Sequence, residues 1–226
     1  MGSKSDEKQP APSQLGTKEY WKDFYEAELN NFKSFGDEGC RWFGVSAESR
    51  IVNYIISSSV PRESRIIDIG CGNGALLREL RKHEFSDLTG IDYCSDAIDL
   101  ASRVCKMGAD DSQIMVPFPS FMVADVLEKC SLGEFDIAID KGTWDAISLS
   151  DSRSARLNAY KSFLSDLLKN NGIFILTSCN YTSEELVEDF SGTTLRYLST
   201  LKSRSTLTFG GHDGTTSVTV VFQKRL

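Results

Sequence analysis

One stretch constrains this chain more than any other: Asp68-Ile69-Gly70-Cys71-Gly72-Asn73-Gly74. It follows the short apolar run Arg65–Ile69 and precedes Leu76, Leu77 and Leu80, which recur at helical spacing. Glycines between a buried strand and a helix let the backbone turn tightly and approach a ligand at the helix N-terminus. A strand, a glycine turn and a helix in that order form half of a βαβ unit, and such units build parallel sheets.

The rest of the chain keeps that rhythm. Leu88–Ile91 reads as a second strand ending at Asp92, and a helix follows with Ser95 as its cap. Asp96 and Asp99 come early in that helix and Arg103 and Lys106 late, an order that suits the helix dipole, with Gly108 as the stop. Phe121–Ala124 and Phe135–Ile139 predict two more strands. Leu157, Tyr160, Leu164 and Leu168 predict a helix closed by Gly172, and Ile173–Thr177 predicts a fifth strand. Leu195–Leu201 and Ser217–Gln223 are β-rich and joined by a Gly-rich connection, which predicts an antiparallel hairpin at one sheet edge. The expected fold is α/β: a Rossmann-like, seven-stranded, mostly parallel sheet with helices on both faces and a C-terminal antiparallel hairpin.

Residues 1–14 are charged and lack apolar periodicity, so they predict a disordered tail, with one domain from 15 to 226. Within it, Trp21, Phe24, Tyr25, Leu29 and Phe32 predict an amphipathic helix, and a second helix is expected near Ser46–Ser57.

Composition excludes several classes. Lys and Arg number 25 against 32 Asp and Glu, a net charge of −7 with no basic block, which argues against a nucleic-acid partner. No run approaches a membrane span. Met1–Asp6 is polar, lacks a secretory core, and carries Asp6 where a myristoylation signal has Ser or Thr. The six cysteines form no Cys-x-x-Cys pair, and His83 and His212 are not at ligand spacing from a cysteine, so neither disulfides nor a metal is expected. The expectation is a cytoplasmic monomer with reduced thiols, the nucleus remaining open as a second location.

In open α/β sheets ligands bind beyond the carboxyl ends of the strands. Here one carboxylate follows each of the first four strands: Asp68, Asp92, Asp125 and Asp140. Asp125 taken singly also reads as a helix cap, and Trp21 and Tyr25 taken singly also read as core. Two cofactor classes compete. Gly70-x-Gly72-x-x-Ala75 with Asp92 following satisfies the relaxed dinucleotide fingerprint and keeps NAD open. The G-x-G-x-G run with Asp68 ahead of it, and a C-terminal hairpin in place of a second mononucleotide-binding half, instead resemble a class I S-adenosylmethionine-dependent methyltransferase.

The resemblance extends to a particular family. Leu15–Trp21, Gly36-Asp37-Glu38-Gly39, Trp42-Phe43-Gly44, Asp68–Gly74, Gly90–Tyr93, Asp140–Ile147, Thr177–Asn180 and Phe209-Gly210-Gly211 resemble the elongation factor 1-alpha lysine methyltransferases. This resemblance covers residue 15 to the end. It implies transfer of a methyl group from S-adenosyl-L-methionine to a lysine of elongation factor 1-alpha. A small-molecule amine methyltransferase, or a cofactor-binding module without turnover, are the alternatives.

The resemblance also implies roles. Gly70 would let the backbone meet the methionine part of the cofactor, and Asp68 and Gly72 would also belong to the cofactor site. Asp92 would accept the ribose hydroxyls, with Tyr93 beside the adenine, Asp125 taking the adenine amine and Val126 adding a backbone contact. Trp21, Tyr25 and Trp42 would form an aromatic lid within a helical segment at about 15–60, and Lys141 would touch the cofactor. Asp140 is the candidate to orient the amine, and Trp144, Asn180 and Tyr181 are candidates for the substrate channel.

Overall fold

A computed structural model describes residues 10–107, 115–128, 130–202, 207–209, 212–214 and 216–225. The expected tail before residue 10, Gly108 as a helix stop, and Gly210-Gly211 lie outside the described residues.

The seven-stranded sheet runs β3 (Ser120–Val123), β2 (Asp87–Asp92), β1 (Arg65–Ile69), β4 (Phe135–Lys141), β5 (Leu168–Ser178), β9 (Val218–Lys224), β6 (Leu195–Leu201). The first five are parallel in register, as Ile66 opposite Leu88 and Ile139 opposite Ile175 illustrate. β9 runs antiparallel to both β5 and β6, so the C-terminal hairpin inserts its second strand into the sheet and leaves β6 at the edge. A separate two-stranded ribbon pairs β7 (Leu207–Phe209) with β8 (His212–Gly214).

Alternation along the strands sorts two cores. Ile67, Ala138, Phe174, Leu176 and Phe222 face α5 (Thr143–Ser148), α6 (Arg153–Leu167) and α7 (Ser183–Asp189), joined there by Trp144, Tyr160 and Phe190. Ile66, Ile137, Ile139, Ile175 and Val221 face α2 (Gly44–Ser57) and α3 (Ala75–Lys82) through Ile51, Ile55, Leu77 and Leu80. Each fully buried Ile, Leu, Val or Phe among them stabilises the fold by about 1.5–3 kcal/mol. A third cluster joins α1 (Lys18–Phe35) to α4 (Ser95–Lys106) through Tyr25, Leu29, Phe32, Ala97 and Leu100.

Strand order reverses between β1 and β4, which makes the carboxyl ends of these two strands the switch point where ligands bind in such sheets. The helix over 153–167 ends before Gly172, contrary to the sequence expectation. Leu168 leaves it by pairing with Phe135, so Gly172 lies inside β5, beside an irregularity where Asn171 takes φ 64°. Ser95 is the first residue of α4 rather than its cap, which is Cys94. The segment from Pro10 to Ser13 contacts the body of the fold: Arg153 Nη1 donates to the Pro10 carbonyl at 2.8 Å, and Ser13 N donates to the Leu149 carbonyl at 3.0 Å. α7 was not foreseen, yet it opens on a capping box in which Thr182 and Glu185 satisfy each other's backbone N–H groups.

Candidate active site

The cleft lies over the switch point. Gly70, Gly72 and Asn73 form its floor; Asp92, Tyr93, Asp125 and Val126 form one side; Lys141, Asp145 and Asn180 form the other. Trp21, Tyr25, Trp42 and Phe43 close it from above. Sequence-expected residues from seven separate stretches of the chain thus meet around one cavity.

The glycine turn is held by backbone bonds. Gly70 N and Cys71 N both donate to the Ile91 carbonyl, at 2.8 and 2.9 Å, which ties the turn to β2. A side chain at Gly70 would put its Cβ 1.9 Å from Thr143 Oγ1, and one at Gly72 would reach 2.4 Å from the Tyr25 hydroxyl. Both residues also sit at positive φ, where L side chains are strained. The turn is therefore a bare backbone surface with room for a ligand and none for a side chain.

Asp92 sits at the end of β2, buried. Its carboxylate accepts Gly72 N at 3.3 Å and Cys94 N at 3.0 Å. Burial pushes its pKa up to about 6, against the pull of those N–H donors. Asp125, just past β3, pairs with Lys18 at the start of α1. Tyr93 donates its hydroxyl to the Lys18 carbonyl at 3.4 Å, so α1 is joined to this side of the cleft twice.

The aromatic cover is a packed layer. Trp21 and Tyr25, one helical turn apart, stack with centroids 6.3 Å apart, and Trp21 meets Trp42 edge-on at 4.9 Å. Trp21 Nε1 donates to the Leu15 carbonyl at 2.7 Å. The buried indole N–H of Trp42 has no hydrogen-bond partner among the described residues. Tyr25 serves the α1–α4 core and the cleft wall at once.

Beneath the cleft lies a charged cluster that the sequence reading missed in part. Lys141 Nζ donates to the Trp42 carbonyl at 3.1 Å and stands 3.8 Å from Glu48 Oε1; Arg41 reaches the other oxygen of Glu48 at 3.4 Å. Glu48 is 2% exposed. It shares the apolar face of α2 with Ile51, Val52 and Ile55, and a carboxylate in that register was the available signal. Asp68 is also buried and does not line the cleft. Burial raises its pKa to about 7, while Lys141 pulls it down.

Asp140 requires correction. Its oxygens accept Gly142 N, Thr143 N and Trp144 N at 3.0, 2.8 and 2.9 Å, and the Tyr160 hydroxyl at 2.6 Å. It is 0% exposed and behind the cleft wall, because the free N–H groups opening α5 draw it inward. It fixes the β4–α5 turn and does not line the cleft. Trp144 is likewise fully buried, against Tyr160 and Phe190, and Tyr181 packs on that same cluster. Of the three expected channel residues, only Asn180 lines the cleft.

These features fit S-adenosylmethionine. The bare glycine turn accepts the close approach of a ligand, Asp92 is an acceptor-only group in the cleft wall, and an aromatic layer suits a sulfonium and an adenine ring. No group of three or more His, Cys, Asp or Glu among the described residues has metal-ligating geometry. No described helix is long and apolar enough to cross a membrane.

Comparison with known proteins agrees with the geometry. A family described as a methyltransferase domain matches residues 62–214. EEF1A lysine methyltransferase 2 of Homo sapiens is 40% identical over 218 residues, covering 94% of this chain and 88% of that protein. Protein-lysine N-methyltransferase EFM4 of Saccharomyces cerevisiae is 36% identical over 225 residues, covering 94% of this chain and 96% of that protein. Among solved structures, the N-methyltransferase NodS of Bradyrhizobium japonicum with S-adenosyl-L-homocysteine has a TM-score of 0.64 at 17% identity, covering 90% of this chain and 97% of that one. Magnesium protoporphyrin IX methyltransferase of Synechocystis with bound S-adenosylmethionine gives 0.61 at 15% identity, covering 89% of this chain and 97% of that one. At those identities the likeness shows the fold.

Proposed function

Since the chain belongs to the class I S-adenosylmethionine-dependent methyltransferases, within the protein-lysine methyltransferase family of EEF1A lysine methyltransferase 2 and EFM4, we propose that it methylates a lysine of translation elongation factor 1-alpha. The observation that carries this reading is the single cleft in which the glycine turn, the buried Asp92 and the Trp21–Tyr25–Trp42 layer meet at the switch point. The named activity of the relatives supplies the substrate.

In this reading Gly70 and Gly72 present backbone to the methionine part, and Asp92 accepts the two ribose hydroxyls. Tyr93 flanks the adenine, Asp125 takes its amine, and Val126 adds a backbone contact. Residues 15–60 form the lid, with Trp21, Tyr25 and Trp42 facing the cofactor. Lys141 touches the cofactor, and Asp68 and Glu48 hold Lys141 in place from below. Asn180 belongs to the lysine channel, while Asp140 and Trp144 stiffen its floor. The enzyme acts as a monomer, in the cytoplasm.

The bound cofactor supplies a methyl group on a sulfonium, ready for in-line displacement. The protein's work is alignment, exclusion of water and control of the amine proton. A lysine with the ordinary pKa near 10.4 is only about 0.1% neutral at physiological pH, a cost of about 4 kcal/mol. A channel walled by apolar and aromatic groups lowers that cost by disfavouring the ammonium.

The test is incubation of the purified protein with cofactor and purified elongation factor 1-alpha, followed by intact-mass measurement, with small amines in parallel. Mass gain in methyl steps on the elongation factor is expected. Methylation of the small amines alone would transfer the reading to a small-molecule enzyme. Cofactor binding with no transfer to any acceptor would reduce it to a binding module.

A further inference from the structure

Three carboxylates of the described residues line the cleft: Asp92, Asp125 and Asp145. The first two stand on the β2–β3 side of the glycine turn, and Asp125 is paired with Lys18. Asp145 stands on the β4–β5 side, beside Ala146, Ile147, Cys179 and Asn180. It is 5% exposed, and among the described residues no Lys, Arg or His forms an ion pair with it. A buried carboxylate without a cation is costly and calls for a positively charged partner.

Its hydrogen bonds hold it in place at the cleft wall. Oδ1 accepts the Ser178 hydroxyl at 2.5 Å, and Oδ2 accepts Cys179 N at 2.8 Å. Ser178 Oγ in turn accepts Asn180 N and Tyr181 N, both at 3.1 Å, so the turn after β5 is braced around this carboxylate. The Cys179 thiol and Asn180 N also act on this carboxylate, which nevertheless lines the cleft. Asp140, the other carboxylate nearby, already accepts four donors and is sealed from the cleft.

We propose that Asp145 is the group that receives the ammonium of the target lysine and takes its proton, with Asn180 at the same wall of the channel. The inference rests on the lysine-methyltransferase reading above. The lysine arrives as an ammonium. One N–H bond breaks, its proton passes to Asp145, and the electron pair stays on nitrogen. That pair forms the bond to the methyl carbon as the carbon–sulfur bond breaks with its electrons going to sulfur. The products are a methylated ammonium, a neutral thioether and a protonated Asp145, which returns its proton to water. Burial holds the Asp145 carboxyl above the usual carboxylate range, which brings its proton affinity closer to that of the amine.

The titratable groups that interact with Asp145 are Asp140, Cys179 and Tyr181, and the cations lining the same cleft are Lys18, Lys141 and Arg156. The test must therefore separate Asp145 from them. With methyl transfer to elongation factor 1-alpha as the assay, Asp145→Asn is expected to lower kcat by at least about 100-fold at neutral pH. Its cofactor affinity by calorimetry should stay within about two-fold, since Asp145 is assigned to the lysine and not to the cofactor. The deficit should shrink at least about ten-fold by about pH 9.5, where about a tenth of the amine is already neutral.

Ser178→Ala provides the second variant and does not depend on the first one folding. Losing a donor to the carboxylate raises its proton affinity, so the acid limb of the kcat profile should move to higher pH. A pH-independent deficit in Asp145→Asn, or an unmoved limb in Ser178→Ala, would overturn the proposal. Absence of transfer by the wild-type protein would instead sink the substrate reading.

Discussion

Lys18 opens α1 and forms an ion pair with Asp125 beyond β3, while its ammonium also stands 5.6 Å from the centre of the Tyr93 ring. One cation thus ties the first turn of the lid to both residues assigned to the adenine. Its side chain is 48% exposed, so the pair is worth no more than about 1 kcal/mol. Lys18→Ala should weaken cofactor binding by about two- to five-fold at low salt. The difference should vanish at about 1 M salt, where the screening length falls to about 3 Å. Calorimetric titration at two salt concentrations checks both statements.

Asp92 makes binding pH-dependent. Its pKa is raised to about 6 by burial, so above that pH it is a carboxylate able to accept two hydroxyls, and below it carries a proton and accepts less well. Cofactor affinity should fall as pH drops through about 6 and level off above 7. In Asp92→Asn the affinity should be weak throughout and flat across that range. A wild-type profile without a break near 6 would remove Asp92 from the ribose.

Gly70→Ala tests the turn itself. The added Cβ would meet Thr143 Oγ1 at 1.9 Å, and Thr143 is held in place because its hydroxyl donates to the Ile69 carbonyl at 2.8 Å. The φ of 69° adds backbone strain of about 1–2 kcal/mol. Loss of cofactor binding, together with a lower melting temperature, is the expected result; unaltered binding would mean that the turn does not carry the ligand.

Stability without cofactor should depend on pH through two sealed carboxyls. Asp68 and Asp140 both have pKa values raised to about 7, chiefly by burial, against 3.8 for an ordinary aspartate. A carboxyl raised on folding contributes stability that is full below its unfolded pKa and lost as pH rises through its folded pKa. The cofactor-free protein should therefore melt higher at pH 6 than at pH 8. Asp68→Asn should flatten that slope, as scanning calorimetry at a series of pH values would show.

Much of this architecture is legible in the chain. β1 is a short, mostly apolar strand running into glycines, and Asp92 follows at the customary distance, so a mostly parallel sheet with a cleft beyond its strand ends follows from pattern. The Thr182 to Glu185 spacing was an equally readable signal for α7. What pattern does not convey is orientation after a turn. Asp140 and Asp145 belong to one short segment, and which of them faces the cleft depends on α5 starting at Thr143 and drawing the first carboxylate to its N-terminus. Gly172 misled for a related reason: pairing of Leu168 with Phe135 decided where the helix stopped. Glu48 was hidden because its partners, Arg41 and Lys141, come from a loop and a strand that only the folded chain brings together.

The most direct measurement is transfer of labelled methyl from S-adenosylmethionine to recombinant elongation factor 1-alpha, with Asp92→Ala run beside the wild-type protein. Label on a lysine of the elongation factor, lost in the variant along with cofactor binding, is the predicted result. Equal labelling by the variant, or none by a wild-type protein that binds cofactor, would contradict it.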